Sequence, residues 1–141
     1  MNVLGTILVI LALVIGIVPQ FTDCHSQGNV VTLASGATIP MKCHWTARAE
    51  IGVALPLAAV GGLMVASRRR RRTLLVLGAL AVLLGISTLL LPTSLIGTCG
   101  NPEMSCNVLM KPTLLLAGAL TIAGGLGAVV AASRQEEEPT I

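Results

Sequence analysis

Four long stretches with almost no charge, Asn2 to Val18, Ala47 to Ala66, Leu74 to Leu91 and Pro112 to Ala132, dominate this chain. At about 1.5 Å of rise per residue, each approaches the roughly 30 Å of a bilayer's hydrocarbon core. A segment inside lipid must satisfy its own backbone hydrogen bonds, and helices do so within one segment. The pattern therefore predicts an all-α membrane protein, a bundle of four transmembrane helices. Charged residues make up 11% of the 141, against about 25% in a soluble domain, so no separate water-soluble domain is expected. The first run lacks a basic n-region and a small-x-small cleavage site, which favours a retained helix over a signal peptide.

Five consecutive arginines, Arg68, Arg69, Arg70, Arg71 and Arg72, lie between the second and third runs. Basic loops resist translocation, so this block is expected to act as a topological lock that keeps the link and both termini in the cytoplasm. Arg134 joins that side, against Lys42, Arg48 and Lys111 on the other. The net charge of +3 comes from the arginine block, and nothing in the chain resembles a nucleic-acid module. The layout is a single membrane domain, 1–141. Residues 1–67 form a first helical hairpin with an external loop at 20–46, and 68–72 form a cytoplasmic link. Residues 73–132 form a second hairpin with an external loop at 97–110, followed by an acidic cytoplasmic tail at 133–141.

In the first loop, Asn29 to Leu33 and Ala37 to Met41 are rich in β-branched residues and flank Ala34-Ser35-Gly36, which predicts a small β-hairpin. Thr46 is a candidate N-cap for the second helix, and Pro56 a candidate kink. Ala54, Ala58, Gly62 and Ala66 recur every four residues, as do Ala81 and Gly85, and Gly124, Ala128 and Ala132. Such stripes let helix backbones approach closely in lipid.

The halves also resemble each other. At an offset of 63, Met41, Cys43, Ala54, Leu57, Gly61, Gly62 and Leu63 fall on Met104, Cys106, Ala117, Leu120, Gly124, Gly125 and Leu126. Aligning Pro19 with Pro92 superposes Val3, Leu4, Gly5, Val9 and Leu11 on Val76, Leu77, Gly78, Val82 and Leu84. A duplicated helical hairpin follows, with a pseudo-twofold axis along the membrane normal. Cys24 then corresponds to Cys99 and Cys43 to Cys106.

All four cysteines are expected on the extracytoplasmic side, where disulfides persist. One cysteine follows the first helix of each hairpin and one precedes the second, so the expected bonds are Cys24–Cys43 and Cys99–Cys106, each stapling its own loop. A second reading takes the dipeptides Cys24-His25 and Cys43-His44, with Met41 and Met104, as soft ligands for copper(I) or axial ligands for haem. No CxxCH motif is present and Asn107 stands where the first copy has His44, so no cofactor is assigned. A third reading, a thiol–disulfide oxidoreductase, lacks the CxxC spacing that lowers a thiol pKa. Arg48, Glu50 and Lys111 near the outer helix ends are candidates for a polar vestibule, with Glu50 paired to Lys111.

The block MKCHWTARAE, Met41 to Glu50, preceded by Cys24 and followed by a second external cysteine pair, resembles an uncharacterised family of small four-span prokaryotic membrane proteins classed as a domain of unknown function. The resemblance implies the same topology and a bacterial or archaeal cell membrane, and carries no activity. The reading from sequence is a non-enzymatic accessory or scaffold subunit. Its partners are the lipid bilayer and either a membrane protein, such as a transporter complex, or further copies of itself.

Overall fold

The structure is a computed structural model that describes residues 2–67 and 71–134. Four helices cross the full length of the fold: α1 (Asn2–Thr22), α2 (Lys42–Ala66), α3 (Arg71–Leu90) and α4 (Lys111–Arg134). One π-helical segment, Leu91–Leu95, extends α3, and another, Cys106–Met110, leads into α4. With these extensions all four are long and apolar enough to span a membrane. The chain is a multi-pass membrane protein whose exposed leucines, isoleucines and valines, such as Leu55, Leu83 and Leu116, face lipid. The arginine block is not wholly a link, because Arg71 and Arg72 form the first turn of α3. Arg68, Arg69 and Arg70, like the acidic residues of the tail, lie outside the described residues.

The helix ends differ from those expected. Pro19 does not stop α1, which runs on to Thr22. Proline removes a single hydrogen bond to the preceding turn, and here its ring is buried in the bundle. α2 starts at Lys42, so Thr46 is inside the helix rather than its N-cap, and its hydroxyl donates to the Gly97 carbonyl at 2.8 Å across the bundle. Pro56 is likewise carried within a continuous α2. The π-helical segment after Leu90 begins next to Pro92, where the missing N–H already interrupts regular α-helical bonding.

The hairpin in the first loop is present but short. Strands β1 (Val31–Thr32) and β2 (Thr38–Ile39) pair antiparallel, with Val31 opposite Ile39 and Thr32 opposite Thr38. Gly36 takes φ +80° in the turn between them, a conformation that costs a residue with a Cβ more than it costs glycine.

α1 packs on α2 and α3 on α4 through glycines. A Cβ on Gly61 would sit 2.9 Å from the Gly5 carbonyl oxygen, and one on Gly125 would sit 2.8 Å from that of Gly78. These contacts correct the expected stripe. Gly62 and Ala66 face outward, and the buried run on α2 is Ala54, Leu57, Val60, Gly61 and Met64. On α4 the close approach falls at Gly125, one residue after the expected Gly124. A stripe drawn at every fourth residue drifts off a helix of 3.6 residues per turn, so over three turns the seam moves by one position. The buried positions Gly5, Leu8, Ala12, Ile15 and Pro19 have buried counterparts 73 residues later, at Gly78, Ala81, Gly85, Thr88 and Pro92.

Replacing Gly61 or Gly125 with leucine is expected to lower the thermal unfolding midpoint in detergent, through overpacking of about 1–3 kcal/mol. Gly62→Leu should leave the midpoint unchanged; equal losses at Gly61 and Gly62 would refute the assigned seam.

Candidate metal centre

Four chain segments meet at one end of the bundle, and each brings one cysteine. Cys24 lies two residues beyond α1, Cys43 is the second residue of α2, Cys99 lies in the second loop and Cys106 opens the π-helical segment before α4. Their Sγ atoms all fall within 4.8 Å of one another. Cys24 Sγ is 3.0 Å from Cys99 Sγ and 3.4 Å from Cys106 Sγ, and Cys99 Sγ is 3.0 Å from Cys43 Sγ. Cys24, Cys43 and Cys106 are buried and Cys99 is partly exposed.

The expected Cys24–Cys43 and Cys99–Cys106 bonds are not formed, and all four cysteines are free. A disulfide needs about 2.05 Å between sulfurs. The three close contacts above all run between the two loops rather than within one. Sequence proximity suggested two separate staples, whereas the packing of one hairpin against the other brings the four sulfurs to a single point.

Two thioethers complete the shell, Met41 Sδ at 3.8 Å from Cys99 Sγ and Met104 Sδ at 3.9 Å from Cys24 Sγ. Each methionine thus touches the cysteine of the other hairpin, and the two contacts exchange under the correspondence of Met41 with Met104 and Cys24 with Cys99.

The histidines stand outside this cluster. His44 Nδ1 is 2.8 Å from Asp23 Oδ2, and the His25 and His44 rings meet at a tilt of 44° with centroids 4.9 Å apart. Asp23 also accepts from the Ser26 backbone N–H at 2.9 Å. Burial disfavours its charge, yet the hydrogen bonds from Ser26 and His44 outweigh burial and hold its carboxyl below the usual range. In the second loop Asn107 does the corresponding work. Its amide donates to the carbonyls of Cys99 and Asn101 at 2.6 and 2.7 Å, and its oxygen accepts from Thr98 at 2.6 Å. His44 and Asn107 each follow the second cysteine of their loop and fasten the segment carrying the first. The substitution of one for the other therefore leaves the sulfur cluster intact.

Burial first, and then the three neighbouring thiols, push the Cys24 thiol well up. A bound cation reverses that balance, because it stabilises the thiolates it coordinates. In a tetrahedral site with metal–sulfur bonds of about 2.3 Å, the sulfurs stand roughly 3.8 Å apart. The observed separations, from 3.0 Å up to at most 4.8 Å, bracket that value, so small side-chain movements suffice to hold one ion. A cavity of about 520 Å³ beneath the β-hairpin, lined by Val31, Leu33, Ile39, Met41, Lys42 and Cys99 among others, leads to the partly exposed thiol.

Of the remaining candidates, Glu50 is fully buried and neither carboxyl oxygen has a hydrogen-bond partner. The expected pair with Lys111 is not made, because Glu50 faces the bundle interior while Arg48, two residues away on α2, is exposed. Sequence reasoning missed the roles of Asp23, Thr46 and Asn107. The position of Asn107 after a cysteine, matching His44, was the available signal for one of them.

Fold and site together define a small four-span membrane protein with a four-cysteine cluster at one end. The chain belongs to the DUF4418 family, a domain of unknown function, whose family model matches residues 2–131. No curated protein and no solved structure matches it.

Cys99 should react first with a water-soluble alkylating reagent on the folded, reduced protein, ahead of Cys24, Cys43 and Cys106. Asn107→Ala should accelerate it several-fold, as peptide mass mapping would read. Uniform reactivity of the four thiols would contradict the buried cluster.

Proposed function

We propose that this protein binds a soft metal ion at the extracytoplasmic face of the cell membrane, through Cys24, Cys43, Cys99 and Cys106. The observation that carries the reading is the convergence of four sulfurs from four segments within 4.8 Å. Exposed thiols outside the cytoplasm oxidise, and coordination is one chemical means of keeping four of them reduced so close together. Thiolates with thioethers select soft cations. The placement of Met41 and Met104 against the cysteines favours copper(I), while zinc is satisfied by the four thiolates alone.

In this reading the bundle is a duplicated hairpin, and the ion sits on the pseudo-twofold axis, where both copies contribute two cysteines and one methionine. Recurrence of the buried positions 73 residues apart and the exchange of the methionine contacts support the duplication. The orientation, with both termini cytoplasmic, rests on the arginines opening α3 at the opposite end from the cysteines and on the whole run from Arg68 through Arg69 and Arg70 to Arg72 as a block that resists translocation. The chain is then a holder of a soft cation rather than a bare scaffold. An accessory place in a larger membrane complex is a further part of the proposal, which a mild-detergent pull-down with a stoichiometric partner would support.

The test is elemental analysis of protein purified anaerobically from membranes, or reconstituted with copper(I) or zinc. About one ion per chain is expected, lost when Cys43 or Cys106 is replaced by serine. Met41→Leu should weaken copper(I) roughly tenfold and leave zinc unaffected. Metal-free protein that takes up neither ion, with two disulfides by mass, would overturn the metal reading in favour of thiol–disulfide chemistry. His25→Ala and His44→Ala should retain the ion.

A further inference from the structure

A second site lies deeper in the bundle and shares no residue with the cysteines. Glu50 is eight residues into α2, about 12 Å of helix from its cysteine-bearing end, and is completely shielded from solvent. The Thr88 hydroxyl of α3, also fully buried, faces the Glu50 carboxyl. That hydroxyl lies 3.1 Å from the Leu84 carbonyl, and its single proton can turn either to that carbonyl or to the carboxyl beside it. One turn towards the start of α2, Thr46 donates its own proton to the Gly97 carbonyl at 2.8 Å. Both oxygens of Glu50 are without a hydrogen-bond partner.

Among the described residues no countercharge meets this carboxyl. α1 carries no charged residue, Arg71 and Arg72 sit in the first turn of α3 near the other end of the bundle, and Lys111 and Arg134 sit at the two ends of α4. On α2 itself Lys42 and Arg48 are exposed. The polar group beside Glu50 is thus the neutral Thr88 hydroxyl, which at most donates one hydrogen bond and cannot neutralise a buried charge. A carboxyl buried in such surroundings requires something positive or protic to occupy it, and ionisable residues within membrane spans commonly mark ion or proton sites.

We propose that Glu50 and Thr88 form an intramembrane site for a small monovalent cation, a proton or a sodium ion. In the protonated form the acid O–H donates to the Thr88 hydroxyl oxygen. In the sodium form the carboxylate and that same oxygen coordinate the ion. The site needs no metal at the cysteines, so its test is unaffected by whether they bind one.

Infrared difference spectroscopy on the full-length protein in liposomes reads the occupant directly. A carboxylic-acid C=O band absent from Glu50→Gln is expected. Loss of the band on adding sodium at fixed pH, with choline as the matched salt, identifies the ion as sodium. Loss of the band only at alkaline pH, indifferent to sodium, identifies a proton. Thr88→Val keeps the carboxyl and removes its partner, so it should move the band to higher frequency and shift the midpoint of the titration roughly tenfold in ligand concentration. This variant also identifies the Glu50 band should Glu50→Gln fail to fold. The absence of any acid band that responds to either variant, with no response to sodium or pH, would overturn the proposal.

Discussion

The meeting of four cysteine sulfurs is the contact on which one end of this fold depends. Two helical hairpins, each closed by its own glycine seam, pack side by side, and their cysteine-bearing loops are joined chiefly through Cys24, Cys43, Cys99 and Cys106 with Met41 and Met104. Direct polar ties between the loops are few, such as Thr46 to Gly97 and Ser105 to Gln27. The sulfurs thus decide how the halves register at that end. A cation shared among them would cross-link all four segments at once, stabilising the folded arrangement in proportion to its binding.

The interior of the bundle is otherwise apolar, with Leu8, Ile15, Leu57, Met64, Leu74 and Leu114 buried in it. The fully buried polar residues Thr46, Glu50, Thr88 and Thr121 stand out against that background. Thr121 returns its proton to the Ala117 carbonyl at 2.7 Å, as serines and threonines do in membrane helices. Glu50 has no equivalent local solution, because a carboxylate has no proton to give and the backbone N–H groups around it are committed to the helix. That difference separates a residue that packing alone explains from one that needs an occupant.

Much of this architecture was legible in the sequence because lipid imposes a simple rule: a stretch of about 20 apolar residues becomes a helix whatever its partners. The four spans and the small hairpin followed from that rule and from β-branched patterning. Features set by tertiary contact did not. Pro19 and Thr46 look like helix boundaries in one dimension, and only the bundle reveals that the proline is buried and that the threonine has a partner on another loop. The seam was misplaced from Gly61 to Gly62 and from Gly125 to Gly124, because two adjacent glycines are equivalent in sequence and lie about 100° apart on a helix. The cysteines show the same limit, since the nearest cysteine in sequence is not the one in closest contact. Glu50 was singled out for its charge, and its lack of a partner became visible only with α3 in place.

One soft-metal centre built from both hairpins is the central claim, and X-ray absorption at the metal edge of the protein loaded with copper(I) or zinc tests it most directly. The predicted result is a shell of sulfur alone at about 2.3 Å, which becomes depleted when cysteines from either hairpin are replaced. A shell dominated by nitrogen or oxygen near about 2.0 Å, or one that is unchanged when both cysteines of a single hairpin are removed, would contradict it.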